Sequence, residues 1–391
     1  MNEIPQVRHR YKIHDKLYDL THFVKIHPGG EDMFDHLKSD TNITPMVYAY
    51  HKNPKNILAM LPDYEATSNI DSIKIDYDTN YKYDTYCELK KLVYDEMHEK
   101  KIPLYWSNKE LAYNTFMFLM YVGVWGHCFW NAKHLSSWWM VLMGVFTMSL
   151  GTLIFHETSH YTGFKKQKYN LLYSQYYPFT NMNYWKQKHN YLHHSFTDME
   201  YDWDLMAHKL NFNYFRYSNI VSLQFHHKFQ FIYVWVIWMT AGIHDKKHNY
   251  FSLQNSNKCV VLFMLYYFGL YKVLLFYSVF GFNFLFVANL SHIHHECIDI
   301  NREKKNDFLY NQVSSAMNYR TPDPITRFVC FGLDIQIEHH LFPNIPHSSL
   351  RQIKHVVRAY CEKNNIPYIE QPSIFPTIYS YASYLYKMGN P

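Results

Sequence analysis

Two consecutive stretches of the chain, Leu111 to Ala132 and His134 to His156, contain no Asp, Glu, Lys or Arg. Each matches the roughly 20 residues a helix needs to cross the hydrocarbon of a bilayer. Such segments are either membrane-spanning or the centre of a large soluble core. Aromatic residues make up 19% of the 391-residue chain, and they gather beside these apolar runs, as they do at lipid–water interfaces. The pattern therefore predicts a helical hairpin across a membrane. A second apolar region follows, with Phe229 to His244 free of charge and Cys259 to His295 interrupted only by Lys272. The expected fold is a multi-pass α-helical membrane protein with four crossings, near 111–132, 134–156, 229–244 and 259–289. The last segment is long for one crossing, so its end is expected to continue as helix past the membrane. Lys246, Lys247 and Lys258 would then lie on the far side, against the positive-inside tendency.

The formal charge of +5 is mild. No run of Lys and Arg interleaves with stacking aromatics, which argues against nucleic acid and for a lipid bilayer as the partner. The six cysteines are scattered without a CxxC pair, so neither a disulfide framework nor a cysteine zinc site is expected. The polar N-terminus, MNEIPQVRHRYK, lacks the apolar core of a signal peptide. Residues 1–75 read as a compact soluble unit on the cytosolic side. Residues 76–110 read as a polar linker and a pre-membrane helix, in which Leu89, Leu92, Val93 and Met97 have helical spacing. Residues 111–391 form the membrane domain.

Eight histidines stand beside the apolar runs: His156 and His160, then His189, His193 and His194, then His292, then His339 and His340. Neutral imidazole suits iron, zinc and copper, and eight are enough to hold two metal ions with positions left open. Residues four apart on a helix share a face, so His156 and His160, and likewise His189 and His193, can address one metal. Gln336 lies one turn before His339 and His340 and can point its amide at the same site. With 26 histidines in the chain, about two adjacent pairs arise by chance, so His226-His227 and His294-His295 carry little weight. Membrane parity adds a constraint: the dispersed clusters can meet only if an even number of crossings separates them. The result is a cytosolic di-metal cap. Glu157, Asp198, Asp202, Asp204 and Glu338 are the acidic residues nearest the clusters and are candidates to hold ligand imidazoles. Taken alone, His156-Glu157-Thr158-Ser159-His160 is also the HExxH pattern of a zinc protease, with Glu157 as base.

Together, His156-Glu-Thr-Ser-His160, His189-x-x-x-His193-His194 and Gln336-x-x-His339-His340 resemble the three histidine boxes of membrane fatty-acid desaturases. Glutamine opening the third box, with Leu341-Phe342-Pro343 after it, resembles the front-end subgroup. The similarity runs from about 155 to 370 and takes in Asn183-Tyr184-Trp185 and Cys361 to Tyr368. His292 matches a further family ligand outside the boxes. The first box carries Glu157 where Asp is common, and the second has the longer of the family's spacings. His27-Pro28-Gly29-Gly30, with Leu17 to Phe23 before it and His51 24 residues after His27, resembles the haem-binding core of cytochrome b5, a small α+β domain. Ser39 stands where a glycine is usual.

The resemblance implies a centre of two Fe ions bound by the eight histidines, with Gln336 in a catalytic position. It implies haem b held between His27 and His51, and bis-histidine ligation suits a haem to electron transfer alone. An NADH-cytochrome b5 reductase would supply electrons, O2 would be co-substrate, and two hydrogens would leave adjacent methylenes of a membrane lipid or acyl-CoA. That C–H bond is too strong for acid–base chemistry, so a redox metal must act. The implied location is the endoplasmic reticulum membrane. A sphingoid long-chain-base desaturase or a hydroxylase on the same di-iron scaffold is the nearest alternative, and the HExxH protease is the alternative of another class.

Overall fold

In the computed structural model, residues 8–175, 182–199, 201–202, 214–217, 221–244, 256–294, 306–321, 328–330 and 332–391 are described. Lys246, Lys247, Asp204, His295 and Cys297, all part of the sequence reading, lie outside them. The N-terminal unit opens with β1 (Arg10–Ile13), which pairs antiparallel with β2 (Lys16–Asp19) and parallel with β3 (Thr41–Asn42). Helices α1 (Thr44–Tyr50) and α2 (Pro54–Met60) close it, each with Pro early in its first turn, where no N–H is needed.

The expected loose linker is instead a packed seam. Tyr81 and Tyr83 are buried, and Lys82 between them exchanges backbone hydrogen bonds of 2.7 and 3.0 Å with Asn306 and Phe308. Alternation in an extended segment puts both tyrosines on one face, and Tyr83 stacks on Tyr48 of the N-terminal unit with ring centres 3.8 Å apart. Helix α3 (Asp84–Glu99) buries Tyr86, Leu89, Val93 and Met97. The predicted pre-membrane helix thus packs on protein, and the N-terminal unit, the seam and the C-terminal cap share one apolar core.

Helix α4 (Asn108–Trp130) begins at a capping box. Ser107 Oγ accepts from the Glu110 amide at 3.3 Å, and Glu110 accepts from the Ser107 amide at 2.8 Å. Only Asn114 and Cys128 are buried along it, while Phe116 and Leu119 are 59% and 63% exposed. An apolar helix with bare sides is matched to lipid rather than water. The next rod joins α5 (Ser137–Phe146) and α6 (Thr152–Ser159) through a π-helical turn, Thr147–Gly151. After α7 (Gln167–Gln175), the short α8 (Met182–Trp185) runs into a second π-helix, Lys186–His193. Helix α9 is Gln230–His244 and α10 is Ser256–Leu290, broken at Gly269, where φ is 75°.

Among the described residues, two helices are long and apolar enough to cross a membrane, Ser137–Ser159 and Val260–Leu290. The 15 residues of α9 give a length of about 22 Å, short of the roughly 30 Å hydrocarbon core. The long Cys259 segment was expected to run on as helix to His292, but it bends at Gly269 and ends at Leu290, leaving His292 in the following turn. The cap is completed by α11 (Phe308–Ser314), α12 (Gln336–Leu341), α13 (His347–Lys363) and α14 (Ile374–Gly389), with a two-residue parallel pair, β4 (Asn318–Tyr319) and β5 (Glu370–Gln371). Cys87, Cys128, Cys330 and Cys361 are free thiols.

Candidate metal centre

Four segments deliver the histidines to the base of the cap. His156 lies on α6 and His160 ends it, beyond the π-turn that re-aims this rod. The second π-helix carries His189 and His193, with His194 as its last turn. His292 follows α10, and α12 presents His339 and His340. π-Turns in longer helices concentrate at functional sites, where an extra residue turns a side chain inward.

The imidazoles sort into two groups. The ligand nitrogens of His156, His160, His189 and His339 lie within 4.8 Å of one another, and so do those of His193, His292 and His340. All seven residues are buried. His194 stands between the groups, its ring centre 4.7 Å from that of His339 and 4.6 Å from that of His340. Neighbouring His339 and His340 face different groups because successive helical residues point about 100° apart.

The pairing of His189 with His193 expected from α-helical spacing does not hold. In the π-helix the fifth residue completes the turn, so His189 Nε2 approaches His194 Nε2 at 3.3 Å while His193 joins the other group. Gln336 was expected to point its amide at the metal site of its box. It serves one group, with its amide nitrogen 2.9 Å from His292 Nε2 and 3.2 Å from His340 Nε2. His226 and His227 lie apart from both groups, where His227 Nδ1 accepts from the Gln224 amide at 3.0 Å.

These residues fit metal ions. His160 Nε2, both nitrogens of His339 and Gln336 Oε1 are buried without a hydrogen-bond partner. Each such atom costs about 1–3 kcal/mol unless something takes its place as partner, and a cation satisfies lone pairs aimed at one point. Burial, with neighbouring imidazoles adding to it, holds His194, His339 and His340 well below the ordinary histidine pKa, so they are neutral and able to ligate at pH 7. Two nitrogens on one ion can be at most about 4.2 Å apart, so only small side-chain shifts separate the first group from ligation.

Outer partners aim the rings. His193 Nδ1 bonds both oxygens of Asp202 at 3.0 Å, His292 Nδ1 donates to the Ser315 carbonyl at 2.7 Å, and His340 Nδ1 meets Gln312 Oε1 at 2.9 Å. His160 Nδ1 lies 3.0 Å from the Tyr50 hydroxyl. In each case the occupied Nδ1 leaves Nε2 for the centre, the usual outer-shell arrangement of ligating histidines. Of the acidic candidates, Asp202 performs this task. Asp198 donates its amide to Asp202 at 3.0 Å. Glu338 turns away to Asn318 and Tyr368 at 2.8 and 2.6 Å, and burial pushes its pKa up to about 7.

Glu157 is engaged as well. One oxygen accepts from His347 Nδ1 at 2.7 Å and from the His347 amide at 2.8 Å, and the other accepts from the Trp106 indole. A base held by three donors cannot serve a protease, and His156 and His160 share their group with two further histidines rather than an open position. His347 escaped the sequence reading, although it stacks on His339 with ring centres 5.0 Å apart. Gly332, at φ 88°, makes room for it, since a Cβ there would come within 2.9 Å of the ring. Tyr50, Gln312 and Ser315 also had no local signal, because their partners are distant in sequence.

In the N-terminal unit, His27 and His51 face each other with ring centres 6.1 Å apart. Two imidazoles each bound about 2 Å from one iron have centres about 6 Å apart, so the spacing fits a shared axial ion. His51 Nδ1 donates to the Val47 carbonyl at 3.0 Å, and burial lowers the pKa of His51 to about 4. Gly30 takes φ 91°, and a Cβ at Gly29 would sit 2.9 Å from His27 Cε1, which explains both glycines of the motif.

Residues 136–372 match the fatty acid desaturase family. An acyl-lipid (8-3)-desaturase of Physcomitrium patens is 25% identical, covering 96% of this chain and 87% of its own. Acyl-lipid (8-3)-desaturase B of Dictyostelium discoideum is 22% identical over 96% of this chain and 90% of its own. A Delta(8)-fatty-acid desaturase of Euglena gracilis is 25% identical over 58% and 62% respectively. No solved structure matches. With two buried histidine groups assembled from the boxes, and with the family match covering more than half of the sequence, the chain belongs to the fatty acid desaturase family.

Proposed function

We propose that this oxidoreductase is a front-end desaturase, placing a cis double bond between the carboxyl end and an existing double bond of a polyunsaturated acyl chain. The observation that carries the reading is Gln336 seated at the second histidine group, 2.9 Å from His292. Relatives named for the 8-3 and Delta(8) positions support it. The eight histidines are read as ligands of two iron ions, which when bound supply the oxidising power for C–H cleavage with O2 and two electrons. This chain's residues supply the rest. Asp202, Ser315, Gln312 and Tyr50 hold the Nδ1 atoms, so that Nε2 stays free of a proton and aimed inward. The burial of both groups excludes water. Met140, Met143, Phe155 and Phe276 belong to one buried apolar cluster, the kind of lining an acyl tail needs.

The N-terminal unit is read as a cytochrome b5-like domain, residues 1–75, carrying haem b on His27 and His51 and served by NADH-cytochrome b5 reductase. The relatives that align with 96% of this chain support a shared N-terminal part. Residues 111–391 are read as the membrane domain. The bare apolar sides of α4 support a third crossing beside the two long helices, and the fourth is read at the charge-free stretch 229–244, for four in the endoplasmic reticulum membrane with both centres on the cytosolic side. Expression in a yeast fed defined polyunsaturated fatty acids, with products located by mass spectrometry, tests the function. A new double bond on the carboxyl side of an existing one is expected. A bond on the methyl side, a hydroxylated product or an altered sphingoid base with unchanged fatty acids would overturn it.

A further inference from the structure

Tyr50 is the last residue of α1, and the next residue, His51, is one of the two facing imidazoles of the N-terminal unit. Its side chain leaves that unit and enters the metal centre. The hydroxyl lies 3.0 Å from Nδ1 of His160 and 3.5 Å from the Asn190 carbonyl, and the phenol ring is nearly parallel to the imidazole, at 15°. From the other side Asn344, four residues after His340, donates to the Tyr50 carbonyl at 3.0 Å. The tautomers are consistent along this line. His160 Nε2 is one of the partnerless buried nitrogens, so a metal on Nε2 requires the proton on Nδ1. That N–H donates to the Tyr50 oxygen, and the phenol hydrogen points to Asn190.

We propose that Tyr50 is the coupling residue between the haem unit and the first histidine group, giving a path from His51 through one residue and one hydrogen bond to His160. The inference rests on the haem and iron readings above. In each transfer one electron leaves a ferrous haem, which becomes ferric, and lowers one ferric ion of the centre to ferrous. No covalent bond forms or breaks, and the proton stays on Nδ1 of His160. Two transfers supply the two electrons of a turnover, and a pyridine-nucleotide-dependent reductase restores the haem. The fused domain is then wired to the cap by its own ligand-bearing segment, with no need to dissociate and dock between electrons.

The test uses the full-length protein loaded with haem and saturating iron, and compares it with Tyr50→Phe, which keeps the ring and removes the hydroxyl. The haem is reduced through the reductase, substrate and O2 are added, and reoxidation is followed at the Soret band in a stopped-flow instrument. Reoxidation should slow about tenfold, the scale on which losing the partner of a ligating imidazole acts. The Soret spectrum should be unchanged, and the product of a single turnover after direct dithionite reduction of the metals, taken per bound iron, should fall by less than the reoxidation rate, since Tyr50 also orients His160. That split separates coupling from support, since a merely structural Tyr50 would lower both routes alike. Unchanged reoxidation, or an equal fall in both routes in Tyr50→Phe, would overturn the proposal. Wild-type protein without a Soret band would instead overturn the haem reading itself, and His51→Ala supplies the haem-free reference.

Discussion

Replacing Asp202 with asparagine should weaken one metal site and spare the other. Both Asp202 oxygens lie 3.0 Å from His193 Nδ1, one of them also accepts the Asp198 amide at 3.0 Å, and the side chain is wholly buried. Asp198 has φ 58°, so this carboxylate also holds an uncommon turn in place. Asparagine keeps one acceptor for two donors and turns an NH2 toward the other. A hydrogen bond to a charged group contributes about 1.5–3 kcal/mol and a neutral one about 0.5–1.5. The change therefore costs about 1–1.5 kcal/mol at His193, roughly tenfold in metal affinity, in line with the 10–100-fold typical of outer-shell substitutions. His193 belongs to the group with His292 and His340 and not to the other. A chelator titration followed by iron analysis should then become biphasic, with half of the iron leaving at about tenfold lower chelator and half behaving as in the wild type. Release of both ions together, at the wild-type midpoint, would refute the assignment of Asp202 to one site.

Gln336→Leu removes the amide that lies 2.9 Å from His292 Nε2 and 3.2 Å from His340 Nε2, and should reduce turnover about tenfold or more; Gln336→His, which restores a nitrogen donor, should retain part of it, as read by product per unit of bound iron. Full activity of the leucine variant would contradict a role for the amide. Acid stability should depend on His36, whose two ring nitrogens are buried without partners and whose pKa burial lowers from 6.5 to about 3. Between these values the unfolded chain takes a proton that the folded chain refuses, so stability is present above pH 6.5 and falls as pH drops toward 3, by up to about 5 kcal/mol. Denaturant midpoints of the N-terminal unit should fall less steeply with pH in His36→Leu, and parallel profiles would count against this account.

Several elements were legible because they are local. Charge-free length marked the apolar helices, the histidine boxes marked the elements that meet in the cap, and His-Pro-Gly-Gly marked a turn that needs positive φ at Gly30. What failed was spacing read on the wrong period. His189 and His193 appear paired at 3.6 residues per turn, yet the segment is a π-helix, and packing rather than propensity selects that form. The apparent linker failed for a similar reason. Its Asp and Asn residues read as solvated, but Tyr81 and Tyr83 alternate inward against a strand-like partner more than 200 residues away.

The chain's own order of residues thus determined the chemistry on offer: neutral nitrogen donors, long apolar helices and a His-Pro-Gly-Gly turn with positive φ at Gly30. Only the tertiary structure decided how the donors divide between two groups, which nitrogen of each ring is held back by Asp202, Gln312, Ser315 or Tyr50, and that Glu157 serves His347. These partners lie from 9 to 190 residues apart in sequence. Hydrogen-bond geometry depends on distance in space, and for contacts of that separation no local pattern encodes it.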